Sequence, residues 1–390
     1  MPTAKPHPIW WAATAVMALL AVLKLGPEYW RLVVDQTRDG AIDLKFYNDW
    51  AHQWVAGVPI YLARPPAEYP PATYLLLWPV LGWMPFGPAR WFWAATTIPV
   101  LTWLAWLCIR ESGATSGRER AFVVLMLLSL NATGVAIGNG QLILHVLPIL
   151  MAAVAMLRSD RSLAADVAAA GLLIVALVKP AVSVPFLCTA FLVAGRIRPV
   201  VFVVAGYGVL TLVAAVFQHA APWSLLMLSL AQGSKAAVVG GYGNVHFWLA
   251  ALGQRGWILA ASALVLLVFG LWIHRHRRAD LGLLVSVTAI VARLWTYHRL
   301  YDDVLTIVPM VFLFRVARQS PRESRIGRLA AGLLGATLLM MWLPARLSRA
   351  APPWDLIFTA GHTLVWLILL GFFMWLGHRA PDALSHESSS

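Results

Sequence analysis

The chain has little charge. Of its 390 residues, 12 % are Asp, Glu, Lys or Arg, against about 25 % in ordinary soluble domains. Hydrophobic residues make up 60 % of the chain and the mean hydropathy is +0.72. The hydrophobic runs are continuous rather than alternating, which excludes a membrane β-barrel. Because a backbone crosses lipid only as a helix or a closed barrel, the sequence predicts an all-α polytopic membrane protein.

Cysteine is almost absent. Cys108 and Cys188 lie far apart in hydrophobic segments, so a disulfide framework and a thiolate metal site are both excluded. The motifs G-x-x-x-x-G-K, H-E-x-x-H and C-x-x-C do not occur. Asp35, Asp39 and Asp43 are spaced by four residues and could share a helix face. Nothing else in the chain requires a metal, so we predict neither a metal nor another cofactor.

Acidic residues are also scarce, at 17 against 30 Lys and Arg, which gives a net charge of +13. In a soluble protein this excess would indicate nucleic acid, but in a membrane protein it follows from the basic residues of cytoplasmic loops. We therefore predict no nucleic-acid partner. The Arg-rich connections expected in the cytoplasm are 110–120, 158–161, 196–198, 274–278 and 315–328.

The hydrophobic runs predict membrane spans near residues 8–25, 121–137, 141–157, 163–179, 181–195, 199–217, 257–273, 280–296, 303–316, 327–344 and 355–376. The region 72–110 is broken by prolines, and one net crossing there keeps every Arg-rich connection on one side. This topology has roughly twelve membrane helices and cytoplasmic termini. The first run lacks a small-residue cleavage site after it, so we interpret it as an uncleaved helix. Residues 1–380 form one predicted integral membrane domain, and 381–390 form a predicted disordered tail.

The same topology places four connections on the outer face: the first outer loop 26–71, the GNGQ turn 138–141, the second outer loop 218–256 and YHRLYDD 297–303. Ionisable residues clustered on one side near membrane depth indicate a functional site. Lys179 joins this group at the end of a hydrophobic run. Its ammonium either reaches out to the interface or neutralises a lipid phosphate.

The first outer loop can form a helix on the membrane surface from Asp43 onward. At 100° per residue its aromatic side chains share one face and its polar ones the other, namely Phe46, Tyr47, Trp50 and Trp54 against Lys45, Asp49 and His52. Asp43 starts the helix on the aromatic side, where it either caps free N–H groups or takes part in chemistry. Asp49 is expected to face water.

Two further clusters of polar side chains lie in the outer connections. Asn139 and Gln141 flank Gly140 in a tight turn, where such residues commonly satisfy their own backbone. His298 and Asp302 are four residues apart and can pair on one helix face. That pair is either structural or part of a proton-relay or phosphate site, because histidine titrates near neutrality.

Taken in order, these motifs resemble glycosyltransferase family 87, membrane enzymes that include polyprenyl-phosphate-mannose-dependent α-1,2-mannosyltransferases of actinobacteria. The segment 43–47 is similar to the family's D-L-x-x-Y, 57–61 to its G-x-x-L-Y and 69–71 to its Y-P-P. The order continues with Gly140-Gln141, Gly171 with Lys179-Pro180, Gly243-Asn244 and a histidine before a late helix. The resemblance implies the GT-C fold with interfacial helices in the first outer loop.

The resemblance also implies an inverting transfer on the non-cytoplasmic face of the inner (cytoplasmic) membrane, without a metal. The implied donor is a sugar on polyprenyl phosphate, and the acceptor is a lipid-linked or cell-envelope glycan. Asp43 would be the general base and His298 a second catalytic residue, while Lys179 with His298 or Arg299 would hold the phosphate. The implied substrate-binding residues are Tyr47, Tyr61, Tyr69, Gln141, Lys179, Asn244, Arg299 and Asp302.

Some alternatives stay open at this point. Thr296-Tyr297-His298 replaces the Ser/Trp/His-rich stretch of the actinobacterial mannosyltransferases, so the sugar is mannose or another hexose or pentose. A polymerase or ligase of lipid-linked glycans also has charged outer loops. A transporter or flippase more often shows two pseudo-symmetric halves, and no such repeat occurs in this sequence.

Overall fold

The computed structural model of the protein describes residues 8–37, 39–239, 242–321 and 323–383, and every regular element within these ranges is helical. The α-helices are α1 (Pro8–Val33), α2 (Ile42–Val55), α3 (Pro71–Leu81), α4 (Phe86–Ser112), α5 (Gly117–Ser129), α6 (Asn131–Asn139), α7 (Ile143–Ser159), α8 (Leu163–Ala176), α9 (Pro180–Ala194), α10 (Arg198–Phe217), α11 (Pro222–Val239), α12 (Val245–Ala251), α13 (Ile258–His276), α14 (Leu281–Leu294), α15 (Ile307–Gln319), α16 (Arg325–Trp342) and α17 (Trp354–Ala383). Short 3₁₀ helices cover Ile60–Leu62, Arg255–Trp257, Leu300–Thr306 and Ala345–Arg349.

Five segments of the described chain are long and hydrophobic enough to cross a membrane: Ala12–Val33, Phe86–Ser112, Arg198–Phe217, Arg255–His276 and Trp354–Arg379. Helices α5 and α6 meet at an angle of 55° and add a sixth if they form one broken span. Helices α3, α7, α8, α9 and α14 are hydrophobic but shorter than the roughly 20 residues of a straight span. The polytopic helical class is confirmed, whereas the count of roughly twelve spans stays a prediction.

The hydrophobic runs located most helices to within a few residues, and the differences lie in the connections. Helix α1 continues to Val33, well past its predicted end at residue 25. The region 72–110 contains a short helix, α3, and a long one, α4, which starts after Pro85. The predicted loop 218–256 contains the 18-residue α11 and the short α12. Of the predicted tail 381–390, residues 381–383 continue α17 and the rest lie outside the described ranges.

Helix α2 buries most of its predicted aromatic face, but Phe46 is half-buried and Asp49, which was expected to face water, is half-buried as well. Tyr47, Trp50 and Trp54 are buried, whereas Lys45 is exposed. The buried face packs on α3, where the Trp54 ring stacks on Tyr74 at a centroid distance of 4.9 Å. The Trp54 Nε1–H group donates to the Ala214 carbonyl of α10 at 3.0 Å. These contacts fix α2 against the bundle rather than leaving it free on the surface.

The Arg-rich connections contact one another at one end of the bundle. Arg318 donates to the Gly113 carbonyl at 2.7 Å, and Arg158 donates to the Arg277 carbonyl at 2.5 Å. Helix α7 starts just after Gln141 and ends at these basic connections, about 25 Å away at 1.5 Å per residue. Helix α14 runs the opposite way, from Leu281 to Leu294. The predicted outer connections therefore meet at the other ends of these helices.

Candidate active site

A cavity of about 300 Å³ opens between α2, the segment 65–70, α11 and residues 295–302. Its volume is at the lower end of the range of about 300–1,000 Å³ that is usual for ligand pockets. Seven of the ten residues predicted from the sequence line this cavity: Asp43, Tyr47, Tyr69, Lys179, His298, Arg299 and Asp302. The tertiary structure thus brings together residues from three separate stretches of the chain: the first outer loop, the position of Lys179 and the connection 297–303.

Asp43 is buried in the first turn of α2, but it does not cap that helix. The N-cap position is occupied by Ala41, whose backbone is left-handed with φ of 50° and whose N–H donates to the Gly138 carbonyl. The Asp43 carboxylate instead accepts a hydrogen bond from Asn139 Nδ2 at 2.7 Å. Burial raises the pKa of Asp43, and the nearby charges of Arg299 and Lys179 oppose that rise.

The turn 139–141 packs directly against α2. Gly140 has φ of +69°, and a Cβ atom at this position would lie 2.5 Å from the Leu44 Cβ. Only glycine combines this backbone conformation with such a close approach. Instead of satisfying the turn's own backbone, the Gln141 Oε1 atom accepts from the Tyr47 hydroxyl at 3.1 Å and from Lys179 Nζ at 2.9 Å.

Lys179 is 2 % exposed, so it does not reach out to the membrane interface. It occupies the N-cap position of α9, and Pro180 is the first residue of that helix, a position that suits proline. The Lys179 ammonium lies 2.9 Å from Asp302 Oδ1 and 4.7 Å from the centre of the Tyr301 ring. The Lys179 ammonium therefore lines the cavity and at the same time forms a buried ion pair with Asp302.

The predicted pair of His298 and Asp302 is present, with 3.0 Å between His298 Nδ1 and Asp302 Oδ2. Although burial alone would raise the pKa of Asp302, Lys179 and His298 hold it below its usual range. Burial lowers the pKa of His298 despite this carboxylate. An ionised carboxylate can only accept, so Nδ1 carries the proton and Nε2 keeps a lone pair. Nε2 has no hydrogen-bond partner within the described ranges, which leaves it able to accept a proton.

Arg299 is the exposed cation of the cavity. Its backbone N–H donates to Asp302 Oδ2 at 3.2 Å and its Nε–H donates to the Tyr297 hydroxyl. Neither of its two terminal nitrogens has a hydrogen-bond partner among the residues that the structure describes. A guanidinium edge of this kind suits a phosphate group, which it can bind through two parallel hydrogen bonds.

Three of the predicted residues do not line the cavity. Gln141 lies behind the wall, where it connects Tyr47 to Lys179. The Tyr61 hydroxyl donates to the Tyr69 carbonyl at 2.7 Å and so holds the cavity segment around Tyr69 in place. Asn244 caps α12 by accepting from the Phe247 N–H at 2.9 Å. Direct substrate contacts by Tyr61 and Asn244 remain predictions.

The structure adds residues that the sequence analysis did not single out. Glu68 lines the cavity and immediately precedes the Tyr-Pro-Pro motif, which could have drawn attention to it. Burial raises the pKa of Glu68, and its carboxylate makes no hydrogen bond or ion pair with the rest of the described chain. His246 and Trp295 also line the cavity. Among the described residues, no three His, Cys, Asp or Glu side chains are grouped so that they could hold a metal ion.

The cavity therefore combines a buried carboxylate, an imidazole oriented by a second carboxylate, an available guanidinium and several aromatic rings. These groups suit a phosphorylated ligand with hydroxyl groups. The sequence matches the model of glycosyltransferase family 87 over residues 68–296, more than half of the chain. The chain belongs to glycosyltransferase family 87.

This membership makes the family 87 protein a membrane glycosyltransferase, an enzyme that moves a sugar from a donor to an acceptor. The matched region includes Tyr69, Gln141, Lys179 and Asn244. The segment around Asp43 and the residues from 297 onward lie outside it and join the cavity only in the folded structure. A comparison with curated proteins found no match, and a comparison with solved structures found none either.

Proposed function

We propose that this family 87 protein transfers a hexose or pentose from polyprenyl phosphate to a lipid-linked or cell-envelope glycan, with inversion at the anomeric carbon. The observation that carries the proposal is the composition of one cavity of about 300 Å³. Asp43, the pair of His298 and Asp302, and the cations Lys179 and Arg299 all line it. Each requirement of glycosyl transfer from a phosphate has a matching side chain there.

The cations support a donor that leaves as a phosphate. When the bond from the anomeric carbon to the phosphate oxygen breaks, the phosphate takes the electron pair and its negative charge grows. The terminal nitrogens of Arg299 are available to it, since only Nε is engaged by a neighbouring side chain. Lys179 already neutralises Asp302 at 2.9 Å. Arg299 is therefore the principal phosphate contact in this proposal, and Lys179 adds a positive potential behind it.

Asp43 is the proposed general base. The acceptor oxygen attacks the anomeric carbon in a single displacement, and the proton of that hydroxyl passes to the Asp43 carboxylate. Burial raises the pKa of this carboxyl and so makes it a stronger base than an exposed aspartate. Its negative charge also stabilises the positive charge that develops on the sugar. Nε2 of His298 accepts a hydrogen bond from another hydroxyl group of the bound substrates, or receives from Asp43 the proton that this carboxylate has taken up.

The surroundings of the cavity support a lipid-borne donor and a non-cytoplasmic site. Leu230 and Leu259 line the cavity and are 50 % and 57 % exposed, so the cavity wall continues into surface that suits a hydrocarbon chain. Phe46 adds an aromatic ring to the lining of the cavity. The Arg-rich connections lie at the opposite ends of α7 and α14, and the positive-inside rule assigns those ends to the cytoplasm.

The test is a transfer assay with the full chain reconstituted in liposomes. The donors are farnesyl phosphates carrying mannose, glucose, galactose or arabinose, and the acceptors are glycolipids extracted from bacterial membranes. We expect acceptor-dependent transfer from one donor, and an NMR spectrum in which the anomeric configuration of the product is inverted. Movement of labelled donor across the liposome membrane without any transfer would contradict the proposal and favour a transporter.

A further inference from the structure

His246 lines the cavity, as Leu259 and Trp295 do, and is only 4 % exposed. It is the second residue of α12, whose start is held by the Asn244 cap at 2.9 Å from the Phe247 N–H. Nothing in the mechanism above uses it. Its backbone position is nevertheless well defined, because the capped helix places the ring at the junction of α12 and α13.

The hydrogen bonds of His246 determine which ring nitrogen carries the proton. Its Nε2 atom lies 2.6 Å from Ser262 Oγ, and Ser262 Oγ donates its own hydrogen to the Trp295 carbonyl at 2.8 Å. A serine hydroxyl has a single hydrogen to give. Since the carbonyl can only accept, Ser262 must receive the bond from His246, so Nε2 is the protonated nitrogen. Nδ1 is left with a lone pair.

Nδ1 is buried and has no hydrogen-bond partner in the described part of the chain. Burial, reinforced by neighbouring His298, lowers the pKa of His246 to about 4, so the ring stays neutral at physiological pH. A buried acceptor without a partner is unfavourable, so each one needs an explanation, and a bound ligand is the one that fits a residue on the cavity wall. His246 is thus a neutral group on a ligand cavity that can accept a hydrogen bond at Nδ1 but cannot donate one there.

The two histidines of the cavity, His246 and His298, differ in the side chain to which each ring is hydrogen-bonded. His298 is held by the ionised carboxylate of Asp302, which strengthens it as a base. His246 is held by the hydroxyl of Ser262, which adds no negative charge. The His246 arrangement is therefore suited to binding rather than to removing a proton.

We propose that Nδ1 of His246 accepts a hydrogen bond from one hydroxyl group of the transferred sugar, and so helps to decide which sugar the enzyme takes. The inference rests on the proposed function. Trp295 supports a sugar at this cavity, because its indole N–H is already bonded to the Ala181 carbonyl at 2.6 Å and its half-buried aromatic side chain also lines the cavity. Carbohydrates commonly pack a C–H face on an aromatic ring while neighbouring polar groups bind their hydroxyls.

The experiment compares donors that lack one hydroxyl at a time. For the farnesyl phosphate sugar that the wild type transfers best, kcat/KM is measured for every monodeoxy form of that sugar. If the wild type makes a hydrogen bond to one hydroxyl, its kcat/KM should be about tenfold lower for the monodeoxy donor that lacks that hydroxyl. His246→Gln keeps a donor near Ser262 but has no acceptor at the Nδ1 position. We expect it to transfer the parent sugar about tenfold less well, mainly through KM, and to treat the parent and that monodeoxy donor alike.

Two further variants separate binding from folding. His246→Asn places an amide oxygen near the Nδ1 position, and we expect it to recover part of the discrimination. His52→Gln changes a half-buried histidine of α2 outside the cavity lining and should behave like the wild type. If the wild type transfers sugar and His246→Gln keeps the full penalty for the same monodeoxy donor, this inference is wrong and the proposed function stands. If the wild type transfers sugar from no donor of the panel, the proposed function fails and the inference falls with it.

Discussion

The Lys179 ammonium lies 2.9 Å from Oδ1 of Asp302, and both side chains are almost completely buried. The pair joins the start of α9 to the segment that carries His298 and Arg299. The second oxygen of Asp302 orients His298 at 3.0 Å. One ion pair therefore holds a wall of the cavity together and keeps the imidazole in its acceptor form.

Replacing Lys179 by methionine is expected to lower the free energy of unfolding by about 3–5 kcal/mol, because the Asp302 charge would stay buried without its partner. The double variant Lys179→Met/Asp302→Asn removes that charge and should recover most of the lost stability. Melting temperatures in detergent measure both effects. Lys45→Met, at an exposed position of α2, serves as the control. Equal melting temperatures for Lys179→Met and Lys45→Met would contradict the prediction.

The two carboxylates of α2 are expected to differ in their effect on transfer. Asp43→Asn removes the proposed base and should reduce kcat by about 10²–10⁴-fold. It keeps an oxygen that can accept from Asn139, so donor binding should change little. Asp49→Asn changes a half-buried residue that does not line the cavity and should leave kcat within about twofold, as surface substitutions generally do. Near-normal turnover by Asp43→Asn would show that another group is the base.

Although Asp43→Asn should lower kcat, it should raise the stability of the folded protein. The pKa of Asp43 is higher in the folded protein than in the unfolded chain, so ionised Asp43 destabilises the fold. This cost is fully present above the folded-state pKa and absent below the unfolded-state value of about 3.9. We expect Asp43→Asn to melt at a higher temperature than the wild type at pH 7, and the difference to disappear as the pH falls through that window. A difference that grows on acidification would contradict this assignment.

Arg299 is expected to contribute mainly to donor binding. Arg299→Ala removes a charge-assisted contact to phosphate and should lower kcat/KM by about 10–100-fold. Arg299→Lys keeps the charge without the planar pair of donors, so its kcat/KM should lie between those of the wild type and Arg299→Ala. Arg64→Ala, an exposed residue beside the cavity segment but outside its lining, is the matched control. Kinetics over a range of donor concentrations test the prediction, and an unchanged KM for Arg299→Ala would disprove a phosphate contact.

Gly140→Ala tests the contact between the 139–141 turn and α2. The left-handed backbone costs alanine about 1–2 kcal/mol, and the added Cβ would lie 2.5 Å from the Leu44 Cβ. The turn must shift, which moves Asn139 away from Asp43, so we expect both the melting temperature and kcat to fall. Gly171→Ala in α8 meets no atom within 4 Å, and alanine is the better helix former, so kcat should stay unchanged and the melting temperature should not fall. Similar behaviour of the two variants would contradict the inferred packing.

Much of the fold could be predicted because hydrophobic runs report directly on helices in lipid. Helices α8, α9, α10 and α14 begin and end within three residues of their predicted limits. The errors fall in polar or proline-rich stretches, such as the supposed loop that contains α11. A helix there is stabilised by contacts such as the bond from Gln232 Nε2 to the Tyr61 carbonyl at 2.8 Å. Such a partner lies too far away in sequence to leave a local pattern.

The adjacent residues Asp302 and Asp303 illustrate which contacts of the site could not be predicted from the sequence. Asp302 pairs with Lys179 and His298 at the cavity. Asp303 pairs with the fully buried Arg293 at 2.5 Å and supports the 3₁₀ helix from behind. The spacing of four residues already pairs Asp302 with His298, but nothing local states which of the distant cations, Lys179 or Arg293, each aspartate will meet. Asp43 and Asp49 could be distinguished from the sequence, because helical phase places Asp43 on the aromatic side of α2 and Asp49 on the polar side.

The sequence by itself determined the membrane class, most of the helices and the buried aromatic face of α2, because hydrophobicity and helical period are local properties of the chain. It also carried motifs that indicated the family, and the family match over residues 68–296 bears out that assignment. Only the tertiary structure decided that Asn139 bonds to Asp43, that Lys179 is held by Asp302, and that His246 and Glu68 join the same cavity. Those relationships depend on which helix ends meet, and the packing of the whole bundle sets that arrangement.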